Sequence, residues 1–212
     1  MRELYLDNGI NVCIRKNENT PRVALSLNFS IVSPEKYAGQ YLLMNRLLLK
    51  GTQKYSSEEL STILDENAIE LYTEMKYDYL RFRFVALNED LEFALSILAD
   101  IILNSTFEEF EKEKAKLKGE ILAELDSAKV KIAQLFTENI YKNHFYGHNY
   151  NMILNEIDNV TLEDIKNAYN DILTNSKKTL VLVGDITSEE AIGLLNKYLS
   201  IVPEPKNIDS RI

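Results

Sequence analysis

The sequence predicts an α+β domain: a largely antiparallel, mixed sheet covered by helices, a two-layer α/β sandwich. Three observations lead there. Strand-like segments come partly in hairpins, the arrangement that antiparallel pairing allows. Between them lie amphipathic or apolar segments opened by helix-capping residues. No internal repeat, low-complexity tract or linker interrupts the chain before Pro203, so residues 1–202 read as one domain. Residues 203–212, with Pro203 and Pro205, read as the start of a linker or a C-terminal tail.

Residues 4–6 and 10–14 form the first hairpin, with Asn8-Gly9 supplying the positive φ angles of a tight turn. Val23, Leu25, Leu27, Phe29 and Ile31 alternate with smaller or polar residues, the period of a strand with one buried face. A helix is expected over 37–50, stopped by Gly51, and another from the Ser56/Glu59 capping box through Leu64. Segments 69–75 and 79–87 read as two strands. In the second, Leu80, Phe82, Phe84 and Ala86 face the core and Arg81 and Arg83 a solvated side.

Asn88 is expected to cap an apolar helix through Leu103. A Thr106/Glu109 capping box then opens a long helix with its stripe on Phe107, Phe110, Leu117, Ile121, Leu125, Ala128, Ile132 and Leu135. His144 to His148 read as a loop, since Gly147 lies between the two histidines and argues against a helical metal-binding pair. Thr161 caps a helix to Leu173, residues 179–183 are an apolar strand, and Thr187 with Glu190 caps a last helix to Leu199.

Composition narrows the function classes. Against 24 Lys and Arg stand 33 Asp and Glu, a formal charge of −9. An acidic balance argues against a nucleic-acid binder, which needs a basic face for phosphates. No stretch reaches the roughly 18 apolar residues of a membrane span. Cys13 is the one cysteine, so no internal disulfide forms and a cytoplasmic location is expected. Nothing resembles a nucleophile elbow or a phosphate-binding glycine loop.

Taken in order, several segments resemble the N-terminal domain of the pitrilysin and mitochondrial processing peptidase family of zinc proteases. They are Asn8-Gly9 after a strand, Gly39 leading a helix, Lys50-Gly51-Thr52, Tyr77-Asp78-Tyr79, Leu98-Ala99-Asp100, Glu113 and Glu120, His144-Phe145-Tyr146-Gly147, and Val181-Leu182-Val183-Gly184-Asp185. The family's chemistry lies in an inverted motif, H-x-x-E-H, on the Gly-led helix: two His ligands for Zn²⁺ and a Glu base, with a further Glu on a later helix. Counting back from Lys50-Gly51-Thr52 sets that motif on Leu42-Leu43-Met44-Asn45-Arg46. Leucine has no lone pair for a metal, arginine stays protonated, and an asparagine amide takes no proton from water. Only the downstream carboxylate remains, as Glu120, with Glu113 nearby.

The resemblance therefore implies a catalytically inactive relative that needs no zinc. It pairs with a second peptidase-like domain or an active subunit and helps enclose a peptide. Arg46 is expected to pair with Glu120 or Glu113 across the two helices. The strand 69–75 is expected to be the sheet edge, with Leu71, Tyr72, Thr73 and Glu74 placed to receive a peptide by β-augmentation. Active members need a second similar domain, and this chain ends where a linker to it is expected. Two alternatives stand beside this reading. One is an active zinc enzyme using His144, His148 and Glu120; the other is a purely architectural subunit.

Overall fold

The computed structural model describes residues 4–31, 33–142 and 144–204. One six-stranded sheet runs through it, in the spatial order β1-β2-β6-β3-β5-β4. The strands are β1 (Leu4–Tyr5), β2 (Asn11–Lys16), β3 (Arg22–Ser30), β4 (Glu70–Met75), β5 (Tyr79–Leu87) and β6 (Lys178–Gly184). Only β2 and β6 pair in parallel; every other neighbour is antiparallel, so the sheet is mixed and mostly antiparallel as predicted. The helices are α1 (Gln40–Leu47), α2 (Ser57–Glu66), α3 (Leu91–Asn104), α4 (Phe110–Glu124), α5 (Ala128–Ile140), α6 (Tyr150–Glu156), α7 (Leu162–Asn175) and α8 (Ser188–Leu199).

The period-two pattern sets the core. Val23, Leu25, Leu27 and Phe29 of β3 oppose Ala86, Phe84, Phe82 and Leu80 of β5, and all eight are buried. Leu180 and Leu182 of β6 continue this face on the other side of β3. Leu43, Met44, Leu47 and Leu48 from α1 and around it, with most of α3, cover it. The alternate residues, among them Ser26, Arg83 and Val181, lie on the opposite, more open face, and Val181 is 40% exposed. No helix among the described residues is long and apolar enough to cross a membrane.

Several local expectations change. The first turn is not a two-residue loop with both central φ angles positive. Only Gly9 is left-handed (φ 79°), and its N–H donates to the Leu6 carbonyl at 2.9 Å. Asn8 is freed to turn inward, where Nδ2 donates to the Leu199 and Val202 carbonyls at 2.8 Å and ties the hairpin to the end of α8. Asn88 opens a short 3₁₀ turn, 88–90, before α3, and its side chain donates to the Asp185 carbonyl at 2.9 Å.

The long predicted helix is two. α4 ends at Glu124, Asp126 and Ser127 make the turn that their side chains favour, and α5 begins at Ala128. The break takes the second half of the stripe off the core: Ile132 is 69% exposed and Leu135 59%. The short helix α6, capped by Asn149 Oδ1 accepting from the Met152 N–H at 2.9 Å, was not expected. The tail from Pro205 and the N-terminal residues 1–3 lie outside the described residues.

Candidate functional site

The helix α1 crosses behind the edge strand β4 and beside α4, and its entry is fixed by other elements. Gly39, left-handed at φ 85°, has no side chain to cap the helix, so Glu35 does it. Its Oε1 accepts from the Gly39 N–H at 3.2 Å and its Oε2 from the Tyr41 N–H at 3.0 Å. The same Oε1 pairs with His148 Nδ1 at 2.7 Å, which raises the imidazole pKa above its ordinary value, against the opposing effect of burial. From α6, Glu156 accepts from the Ala38 N–H at 2.7 Å; from α1, Gln40 donates to the Asp164 carbonyl at 2.9 Å.

With Leu43, Met44 and Leu47 turned inward, Leu42, Asn45 and Arg46 share the other side of the helix, three and four residues apart. Leu42 is 37% exposed. Asn45 lies against β4: its carbonyl accepts from the Thr73 hydroxyl at 3.2 Å, while its Oδ1 is buried with no partner among the described residues.

Arg46 reaches α4. Its guanidinium grips both carboxylate oxygens of Glu120, one by Nη1 at 3.3 Å and the other by Nη2, and Nη1 lies 3.6 Å from Glu113 Oε2. The pairing holds the Glu120 carboxyl below its usual range and raises Arg46 further, hydrogen bonding being the main cause in each case. Lys116, one turn before Glu120, adds only a longer-range attraction. Of the two carboxylates Glu113 is the buried one, at 3% exposure, and Lys50 Nζ meets its other oxygen at 3.3 Å. Lys50 also reaches Glu109 at 3.4 Å, and Lys112 reaches Glu109 at 2.6 Å.

The register of this network comes from the turn into α4. The Thr106/Glu109 capping box does not form, because Phe107 (φ 56°) and Glu109 (φ 60°) are both left-handed. The turn instead docks on 50–51: Thr106 N–H donates to the Gly51 carbonyl at 3.2 Å and Glu108 N–H to the Lys50 carbonyl at 3.1 Å. Glycine suits position 51 because its φ of 96° is a left-handed conformation that other residues rarely adopt. This docking carries Lys50 to Glu109 and Glu113, a role that spacing alone did not reveal.

Zinc does not fit these residues. The three carboxylates Glu109, Glu113 and Glu120 are met by three cations, Arg46, Lys50 and Lys112, which leaves no uncompensated charge to attract a dication. Among the described residues no three His, Cys, Asp or Glu side chains form a group that could hold a metal. His144 does not join Glu120: its Nδ1 accepts from the Tyr146 N–H at 3.2 Å and its ring stacks on Phe145. His148 belongs to Glu35. The strand β4 is one of the two sheet edges, with β1 the other, and pairs with β5 on one side only among the described residues. Leu71 and Thr73 face the helix layer, opposite Phe84 and Phe82; Tyr72 and Glu74 face the other way, opposite Arg83 and Arg81.

Comparison with known proteins gives the class. Residues 11–156 match the family described as Insulinase (Peptidase family M16), and residues 159–211 match the family described as Peptidase M16 inactive domain. The first match takes in well over half of the chain, and the protein belongs to peptidase family M16. It is 26% identical over 147 residues to the uncharacterized zinc protease YmxG of Bacillus subtilis, covering 66% of this chain and 36% of that protein. It is 25% identical over 214 residues to the probable inactive metalloprotease YmfF of the same organism, covering 90% of this chain and 50% of YmfF. The crystal structure of a peptidase M16 inactive domain from Pseudomonas fluorescens superposes with a TM-score of 0.85 at 18% identity, over 100% of this chain and 53% of that one. The chain thus spans about half, or less, of the length of these relatives.

Proposed function

We propose that the chain is a catalytically inactive peptidase-like domain. It pairs with a second peptidase domain or an active subunit and helps enclose or bind the peptide substrate. The observation that carries this reading is the Arg46 guanidinium, bound to Glu120 and lying against Glu113 where the family motif requires a metal ligand. In that register Leu42 and Arg46 replace the two histidines and Asn45 the glutamate base. None of the three can do the chemistry, and the likeness to YmfF and to M16 inactive domains supports the same conclusion. The open edge at β4, with Leu71, Tyr72, Thr73 and Glu74, offers backbone groups to an extended peptide.

Zinc content tests the reading. The purified wild-type chain is expected to hold no stoichiometric zinc and to cleave no peptide by itself. The triple variant Leu42→His, Asn45→Glu, Arg46→His is expected to bind zinc stoichiometrically and to lose it on further Glu120→Gln substitution. Circular dichroism first establishes that each variant is folded. Zinc in the wild type that disappears with Glu120→Gln, or hydrolysis by the wild type, overturns inactivity. A folded triple variant that ignores zinc overturns the register.

A further inference from the structure

The helix α5 presents its apolar side to water and its polar side to the domain. None of its 13 residues is buried. The partly covered ones, Val130, Gln134 and Thr137, follow one another by four and three residues and mark the side that faces inward. Hydrogen bonds hold that side: Gln134 Oε1 accepts from the Tyr150 N–H at 2.6 Å, and Glu138 Oε2 from Asn149 Nδ2 at 3.0 Å. The opposite side carries Ile132, Leu135, Phe136 and Ile140 at the spacing of one helical stripe, and each is more than half exposed. Together they leave on the order of 500 Å² of apolar surface in solvent, the size of patch that marks a contact site. A helix this short is also marginal without packing.

The charges along α5 identify what covers it. From the turn before the helix to the residue after its cap they run Asp126, Lys129, Lys131, Glu138 and Lys142, and all five are exposed. Reversed end for end about the level of residue 134, the series is its own complement. Asp126 comes level with Lys142 of a second copy, and Lys129 and Lys131 with the second copy's Glu138. Ile132 comes level with the second copy's Phe136, and Phe136 with its Ile132. A parallel arrangement sets like charges side by side, whereas the antiparallel one also opposes the two helix dipoles. An anionic membrane surface offers no counterpart for Asp126 and Glu138, and a membrane-lying helix carries chiefly Lys and Arg on its polar side. The four apolar side chains supply more than half of the about 800 Å² per partner of a standard interface, and the flanking charges extend it.

We infer that the outer side of α5 is a self-association surface, on which a second copy of this chain packs its own α5 antiparallel. Each contact is made twice about a two-fold axis. The area is that of a weak dimer, so the single chain keeps its own fold. The inference goes beyond the inactivity reading and uses neither zinc nor peptide, so its failure leaves that reading standing.

Sedimentation of the full chain at physiological salt, from about 1 to 200 μM, tests it. The average mass is expected to rise from that of one chain toward that of two. Phe136→Lys, and separately Ile140→Glu, is expected to stay monomeric throughout with an unchanged circular dichroism spectrum. Asp126→Lys and Lys142→Asp are each expected to weaken association at least about threefold, and the two together to restore it, since each dimer holds the pair twice. A wild-type chain that stays monomeric at every concentration overturns the inference. If that chain binds phosphatidylcholine/phosphatidylglycerol vesicles and loses them on Phe136→Lys, the stripe belongs to a membrane instead. A dimer that survives both Phe136→Lys and Ile140→Glu overturns the surface. A double charge swap as weak as the single ones overturns the antiparallel fit.

Discussion

Lys178 carries an ammonium into the apolar layer, with a carbonyl rather than a carboxylate as its partner. It is 1% exposed, its Nζ donates to the Ser176 carbonyl at 3.1 Å, and it lies 5.7 Å from the centre of the Phe29 ring. Burial pushes its pKa down to about 8 from 10.5. The unfolded chain therefore binds more protons than the folded one between pH 8 and 10.5, and stability rises with pH across that window. Below about pH 8 the full cost of the charge is present. Lys178→Met is expected to raise stability at pH 7 by about 1–3 kcal/mol, a gain that shrinks toward pH 10.5, as urea melts at both ends of the range will record. The sequence did not reveal this burial. The apolar run begins at Thr179, so Lys178 reads as a flanking surface residue, and only the pairing of Lys178 with Phe29 across the β3–β6 ladder turns it inward.

At the scale of elements, the entry of α1 decides the geometry of the site. Gly39 sits at φ 85°, and an added Cβ would stand 2.6 Å from Ile153 Cγ2 on α6. Gly39→Ala is expected to destabilise the fold by about 1–3 kcal/mol, from the left-handed backbone together with the clash. Thermal unfolding measures it, and against an Ile153→Ala background the cost of Gly39→Ala is expected to fall by the part due to the clash. Capping arithmetic read the other helices with mixed success. Ser56–Glu59 and Thr187–Glu190 form reciprocal boxes as their spacing requires, and Thr161 caps α7 with Asp164 completing the box. Thr106–Glu109 has the same spacing and fails, because contacts to Lys50 and Gly51, far away in sequence, pull the turn into left-handed geometry. Local patterns report local energies, and that turn is set by tertiary ones.

For the whole molecule, the sequence made the sheet legible because alternation in β3 and β5 states which residues are inside. The candidate site was legible in part. Leu42, Asn45, Arg46, Glu113 and Glu120 follow from the family resemblance, with the motif counted back from Lys50-Gly51-Thr52, while Lys50, the buried state of Glu113 and the Glu35–His148 pair depend on how loops cross. The helix α5 shows the opposite error: periodicity promised burial of Ile132 and Leu135, yet both are more than half exposed, as are Phe136 and Ile140 on the same helix. In the isolated chain Ile132→Lys with Phe136→Lys is expected to change unfolding free energy by less than about 0.5 kcal/mol per site, checked by chemical denaturation. A larger loss would place α5 against the core.

The position of β6 has a consequence for how the protein comes to be made. It stands between β2 and β3 in space, yet it is the last strand in sequence, and it falls in the stretch matched by the second family rather than the first. Until a ribosome has delivered residue 184, the opening hairpin has nothing to join and the other three strands form a separate ribbon. A nascent chain must keep its opening hairpin waiting, with an apolar strand edge uncovered, for a segment translated more than 150 residues later. Non-local pairing of this kind is intrinsically slow, and the order of the strands leaves unpaired edges open to aggregation while synthesis continues.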